Sequence, residues 1–136
     1  RHATCVRGRP LAGQWTWDVL GLVDHLARQQ EFESIRVAGR GFEMGLVCLL
    51  AALFDDRIEA AGIDGMFSSF VQLVGHGHPA SQIPGVLRVA DVPHIVSAAG
   101  THRVQMNNLH RTKGAAQIVS TAKRAPEFFG DWIQAD

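Results

Sequence analysis

Residues 35–54 decide the fold, and they read IRVAGRGFEMGLVCLLAALF. The short run at residues 34–38 stops at Gly39 and Gly41, which predicts a strand that enters a tight turn. From Glu43 to Asp55 the chain is apolar nearly all round, which predicts a buried helix. A strand that turns directly into a buried helix is the basic unit of an α/β fold.

Helices and short strands alternate along the rest of the chain. Between Gln14 and Gln30 apolar residues recur at helical spacing, which predicts an amphipathic helix. Residues 59–64 and 102–107 predict two more strands, the second weaker because its apolar residues are only Val104 and Met106. The other predicted helices, with a break at Pro93 and a loop over residues 76–85, cover residues 67–74, 86–90, 92–99, 112–123 and 127–135.

This alternation predicts the fold class and the place of the functional site. The chain has 136 residues, which is enough for one domain over residues 1–136. We expect an α/β fold, a three-layer αβα sandwich around a short, mostly parallel sheet. In such folds ligands bind beyond the carboxyl ends of the strands, so the turns at residues 39–45, 65–69 and 107–113 are the candidates.

Composition excludes several classes of function. Thirteen Lys and Arg balance thirteen Asp and Glu, so no basic surface is expected for nucleic acid. The longest nearly apolar stretch, residues 45–54, is too short to span a membrane, and no secretory signal is visible. Cys5 and Cys48 cannot form a disulfide framework, which favours a reducing, cytoplasmic compartment. Because the chain begins at Arg1 and not at Met, we expect a processed or partial product.

The turn after the first predicted strand has the layout of a nucleophile elbow, G-x-S-x-G. Gly39 takes the first glycine position, Gly41 the nucleophile position, and Glu43 the closing glycine position. Around it the chain resembles the C-terminal half of the α/β-hydrolase superfamily, most closely acetyl xylan esterases and related carbohydrate or short-acyl esterases. The likeness covers residues 9–108 and is carried by residues 9–13, 17–20, 24–26, 49–53, 55–61, 83–87 and 90–93.

The family's catalytic positions are vacant in this chain. Gly41 has no side chain to attack an ester, and residues 107–111, where the triad acid is expected, contain no carboxylate. Residues 112–135 contain no predicted strand for the triad histidine to follow. The resemblance therefore implies a catalytically degenerate, esterase-like module with a structural, binding or oligomerising role. The alternative is an active serine-type hydrolase of acetyl or short-acyl esters, with catalytic residues from unusual positions or from a partner chain.

Four side chains are candidates for replacing the missing groups. Ser68 and Ser69 follow the second predicted strand and are weak candidates for a nucleophile; a polar turn or helix cap is the competing interpretation. Glu43 at the start of a helix is expected to cap it, with a role as general base as the alternative. Cys48 is expected to be a buried thiol that points away from the site.

Histidines offer a weak candidate for a metal site. His76 and His78 alternate in one loop, and Asp64 or Asp91 could supply a third ligand. The competing interpretation is a pair of solvated loop histidines, and we expect no metal and no cofactor. The histidines His94, His102 and His110 are scattered along the chain and form no such pair.

The last predicted helix and the narrow sheet both indicate that the chain contacts further protein surface. Phe128, Phe129, Trp132 and Ile133 give this helix an apolar face, which either packs on the sheet or forms an interface. Three strands make a narrow sheet whose faces and edges need protection. We therefore expect a homo-oligomer or a missing N-terminal half, with a small ester or carbohydrate as a candidate ligand.

Overall fold

The structure, a computed structural model, describes residues 8–74 and 81–110. Within these residues, three α-helices and three β-strands alternate. In chain order they are α1 (Leu11–Gln29), β1 (Ile35–Arg40), α2 (Gly41–Phe54), β2 (Ile58–Asp64), α3 (Val92–Ala99) and β3 (Val104–Asn107). Short 3-10 helices at Phe70–Leu73 and Val86–Arg88 lie between β2 and α3.

The strands form a parallel sheet in the order β1-β2-β3. Val37 pairs with Ala61, and Ile63 pairs with Met106, so these residues share one face of the sheet. The strand residues of both hydrophobic clusters all belong to this face. The predicted α/β class and the parallel sheet are confirmed.

Helix α2 forms the centre of the core. Its residues 45–52 are all buried, as expected for a helix that is apolar all round. It packs on β1 and β2 and also against α1 and α3. Gly45 allows this approach, since a Cβ there would lie 3.0 Å from the side chains of Ile63 and Met66. None of the helices in the described ranges is long and apolar enough to cross a membrane.

The opposite face of the sheet is exposed only in part, because Asp64 and Asn107 on it are buried. Its residues Arg36, Ala38, Arg40 and Gln105 are exposed, and the register places Ala38 beside Gly62 and Gly62 beside Gln105. Among residues 8–74 and 81–110, the helices therefore cover one face only. The segments 112–123 and 127–135, where the sequence predicts further helices, lie outside the described residues, as do Phe128, Phe129, Trp132 and Ile133.

Several element boundaries differ from the prediction. Strand β1 continues to Arg40 and α2 begins at Gly41, so no loop separates them. Pro93 does not break a helix: it lies in the first turn of α3, where its missing N–H is tolerated. Leu22 is one of the apolar residues that recur at helical spacing in α1, yet it is 57% exposed, because the buried face of this helix is centred on Ala12, Thr16 and Val23.

Candidate functional site

The turn after β1, residues 39–45, is called the elbow turn below. Gly41 starts α2 with a φ of +84°, a conformation that residues with side chains rarely adopt. A Cβ at Gly41 would meet no atom within 4 Å, so space beside it is open. At Gly39 a Cβ would lie 2.5 Å from the carbonyl oxygen of Met44. The strand and the helix are therefore as close as two backbones allow.

One carboxylate ties the strand ends together beside this turn. Asp64, the last residue of β2, is buried and accepts a hydrogen bond from Arg40 Nε at 3.0 Å on Oδ2. Its Oδ1 accepts a bond from Asn108 Nδ2 at 2.7 Å. Both oxygens are engaged, so Asp64 links the ends of β1 and β2 to the residue after β3. This arrangement serves structure and leaves Asp64 poorly suited to act as a base.

Glu43 lies in the first turn of α2, where helix amides favour a carboxylate. Its Oε1 accepts a hydrogen bond from the hydroxyl of Ser81 at 3.2 Å, and Ser81 is fully buried. Glu43 therefore fastens the chain at residue 81 to the start of α2. The choice between a capping role and a general-base role stays a hypothesis.

Ser69 has the capping role predicted as one interpretation of the serine pair. Its hydroxyl oxygen accepts a hydrogen bond from the Val71 amide at 3.2 Å, and Gln72 completes a capping box. The same hydroxyl donates to Asp91 Oδ2 at 2.6 Å. The pattern Ser-x-x-Gln at residues 69–72 is a capping-box signature, and it was the signal in the sequence for this cap.

Asp91, which the sequence suggested only as a possible metal ligand, links two elements of the fold. Its Oδ1 accepts hydrogen bonds from the amides of Phe70 at 2.7 Å and Val92 at 2.8 Å. Burial works to raise the pKa of Asp91, but these bonds and the one from Ser69 outweigh it, so the pKa lies below its ordinary value. Asp91 thereby joins the 3-10 helix at residues 70–73 to the start of α3.

Ser68 is adjacent to Ser69 in sequence, but the hydroxyl groups of the two serines differ in their hydrogen bonds. Its side chain is 5% exposed, and its hydroxyl has no hydrogen-bond partner within the described ranges. No imidazole is hydrogen bonded to either serine hydroxyl there. His94, the nearest histidine in sequence to Asp91, accepts a bond from the Asp91 amide at 3.2 Å. A serine nucleophile needs a base in contact with its hydroxyl, and these contacts provide none.

The remaining candidates do not form a reactive site. Cys48 is free and buried against Gly39, and burial raises its pKa to about 11, so it is a neutral thiol at pH 7, as expected. His76 and His78 lie outside the described residues. Among the described residues, no three His, Cys, Asp or Glu side chains are grouped to hold a metal ion.

Aromatic rings connect the elbow turn to a groove. The rings of Phe42 and His110 are 5.1 Å apart, and Phe42 also contacts Phe67 at 5.4 Å. Phe67 in turn contacts Phe70 at 5.1 Å. Phe70 forms part of the wall of an open groove of about 490 Å³ between the two 3-10 helices. The groove was not predicted, because its walls come from segments that the sequence shows only as short helices and a loop.

Comparison with protein-family models, with curated proteins and with solved structures finds no match for this chain. The likeness to the α/β-hydrolases thus stays a prediction from the sequence.

Proposed function

We propose that this chain is a catalytically degenerate, esterase-like relative of the α/β-hydrolases that acts as a binding module. The observation that carries the proposal is Gly41. It occupies the nucleophile position of a strand–helix turn, has the positive φ of a strained turn, and carries no side chain. The space beside it is open, but a φ of +84° strains any residue with a side chain, so this position favours glycine over serine.

The surroundings of the two serines support the same conclusion. In a serine hydrolase, a histidine takes the proton from the nucleophile, and a carboxylate orients that histidine. Here the Ser69 hydroxyl donates directly to Asp91. A carboxylate with a lowered pKa is a weak base at neutral pH, so this pair does not generate an alkoxide.

Hydrolysis of p-nitrophenyl acetate tests the proposal. The folded chain is expected to hydrolyse the ester no faster than the same chain unfolded in urea, whose histidines give the background rate. The variant S68A/S69A and the control variant Ser97→Ala, which changes an exposed serine of α3, are expected to match wild type. Turnover that the double variant loses and Ser97→Ala keeps would establish the alternative, a serine hydrolase. Turnover that survives the double variant would also contradict the proposal and would exclude these serines.

Self-association is the second part of the proposal. It is supported by the exposed residues on the face of the sheet opposite α2. Parallel sheets are normally covered on both faces, yet Arg36, Ala38 and Gln105 are exposed. Light scattering is expected to show a dimer that Ala38→Glu, in the middle of this face, converts to monomer. Ala98→Glu on the exposed side of α3 is the matched control and is expected to stay dimeric. A wild-type monomer at all concentrations would contradict this part.

A further inference from the structure

The groove between the 3-10 helices at residues 70–73 and 86–88 is a surface feature that the elbow turn does not explain. It encloses about 490 Å³, within the usual range for small-molecule sites. Its walls are mainly apolar, and they include Phe70, Leu73, Val74, Ile83 and Leu87. A groove of this size and composition fits an alkyl chain or an aromatic ring.

Both walls of the groove are held by defined contacts. On one side, Asp91 accepts the amide of Phe70 and fixes the start of the 3-10 helix at residues 70–73. On the other side, Gly85 has a φ of +77°, and the amide of Val86 donates to the carbonyl oxygen of Ile83 at 3.2 Å. The walls are thus formed before any ligand arrives, which lowers the entropy cost of binding.

Several exposed apolar side chains line this groove or neighbour its lining residues in sequence. Val74 is 67% exposed and Leu87 is 47% exposed, and both line it. Val71 and Val89, next to lining residues in sequence, are 54% and 89% exposed. Clustered apolar exposure of this kind marks a surface that binds something.

The charge of one arginine at the groove indicates which head group the ligand carries. Arg88 lines the groove, is exposed, and makes no ion pair or side-chain hydrogen bond with another described residue. By contrast, Arg40, Arg57 and Arg103 are each paired with an aspartate. An unpaired guanidinium beside an apolar wall is complementary to a carboxylate that carries an apolar tail.

We infer that this groove binds a small amphiphilic carboxylate, with its alkyl chain along Phe70, Leu73 and Leu87 and its head group on Arg88. The inference rests on the proposed function in treating the chain as a binding module, but its site is separate from the elbow turn. The two therefore fail separately: ester turnover tests the elbow, and binding of a carboxylate that cannot be hydrolysed tests the groove.

Titration calorimetry with decanoate, below the concentration at which it forms micelles, tests the inference. Wild type is expected to bind one decanoate, and Arg88→Gln is expected to weaken binding about fivefold. Arg9→Gln is the matched control, because Arg9 is exposed, has no side-chain partner among the described residues and does not line the groove. It is expected to bind as wild type does. Leu87→Glu, which places a negative charge at an exposed wall position, is expected to abolish binding.

Three outcomes would overturn the inference. The first is the absence of saturable decanoate binding by folded wild type, including the case in which a second copy of the chain occupies the groove. The second is binding that Arg88→Gln and Leu87→Glu leave unchanged, since the ligand would then lie elsewhere. The third is 1-decanol binding as tightly as decanoate, which would show that the groove selects chain length and not charge.

Discussion

The turns after β1 and β2 lie at the same end of the sheet, and each lacks a different part of what a serine hydrolase needs. The elbow turn after β1 has the tight backbone and an open space beside Gly41, but it has no nucleophile. The turn after β2, residues 65–70, which we call the serine turn, has two hydroxyl groups. Both serines are buried, and the Ser69 hydroxyl is committed to Asp91.

The difference shows that a nucleophilic side chain must stand on a turn whose backbone exposes it to the substrate. Gly39 lets the strand lie against the backbone of α2, and Gly41 supplies the positive φ at which the helix begins, so both glycines serve packing and backbone geometry. The serine turn uses its polar groups to satisfy buried amides, as helix caps do. Each turn is therefore explained by stability alone.

The largest expected effect comes from adding one methyl group to the elbow turn. Gly39→Ala would place a Cβ 2.5 Å from the Met44 carbonyl oxygen and 2.8 Å from Cys48 Sγ. Because backbone must move to relieve this overlap, we expect a loss of about 3 kcal/mol in the free energy of unfolding. Urea denaturation measures it.

Gly21→Ala is the matched control for this change. Gly21 lies within α1, and a Cβ there meets no atom within 4 Å, so we expect a gain of about 0.5–1 kcal/mol. Equal stabilities of the two variants would show that the elbow turn is not tightly packed.

A smaller effect is expected from the carboxylate that supports the serine turn. Asp91→Asn removes the charge that strengthens hydrogen bonds from Ser69, Phe70 and Val92, and we expect a loss of about 2 kcal/mol at pH 7. Since the pKa of Asp91 is lowered in the folded chain, its contribution is present above the unfolded pKa of about 3.9. It disappears as the pH falls through the folded pKa.

Urea denaturation of this variant as a function of pH checks both statements. The difference in stability between wild type and Asp91→Asn should shrink as the pH falls below about 4. Asp18→Asn, at an exposed position of α1, should stay within about 0.5 kcal/mol of wild type throughout. A difference that does not change with pH would mean that charge has no part in the contact.

The smallest expected effect is the difference in stability between alanine variants of Ser68 and Ser69. Ser69→Ala loses a cap and a hydrogen bond to Asp91, so we expect a loss of about 1 kcal/mol. Ser68→Ala removes a buried hydroxyl with no partner among the described residues, so stability should stay within about 0.5 kcal/mol of wild type. Thermal denaturation of both variants measures the contrast, and a larger loss for Ser68→Ala would reverse our assignment of their roles.

Local patterns in the sequence predicted the elements that depend on near neighbours. The apolar run after Gly41 predicted the buried helix α2, and the short run before Gly39 predicted β1. The end of β1 at Arg40 was not predicted, because Arg40 is held by Asp64, a partner 24 residues away. Pairings of this length leave no periodic signal in a single sequence.

The candidate site was predicted less completely than the fold. The vacancy at Gly41 was visible in the sequence, as was the capping potential of Ser69. The contact between Ser69 and Asp91 joins residues 22 positions apart, so only the fold reveals that the hydroxyl is committed. Arg88 has no motif around it, and its position beside the groove follows from the packing of two short helices.

The central claim is that none of the serines among residues 8–74 and 81–110 is activated as a nucleophile. Intact-protein mass after treatment with a fluorophosphonate, which attaches covalently to activated serines, tests it most directly. We predict the unmodified mass for the folded wild type. A stoichiometric adduct that forms on the folded chain and not on the unfolded chain would contradict the account.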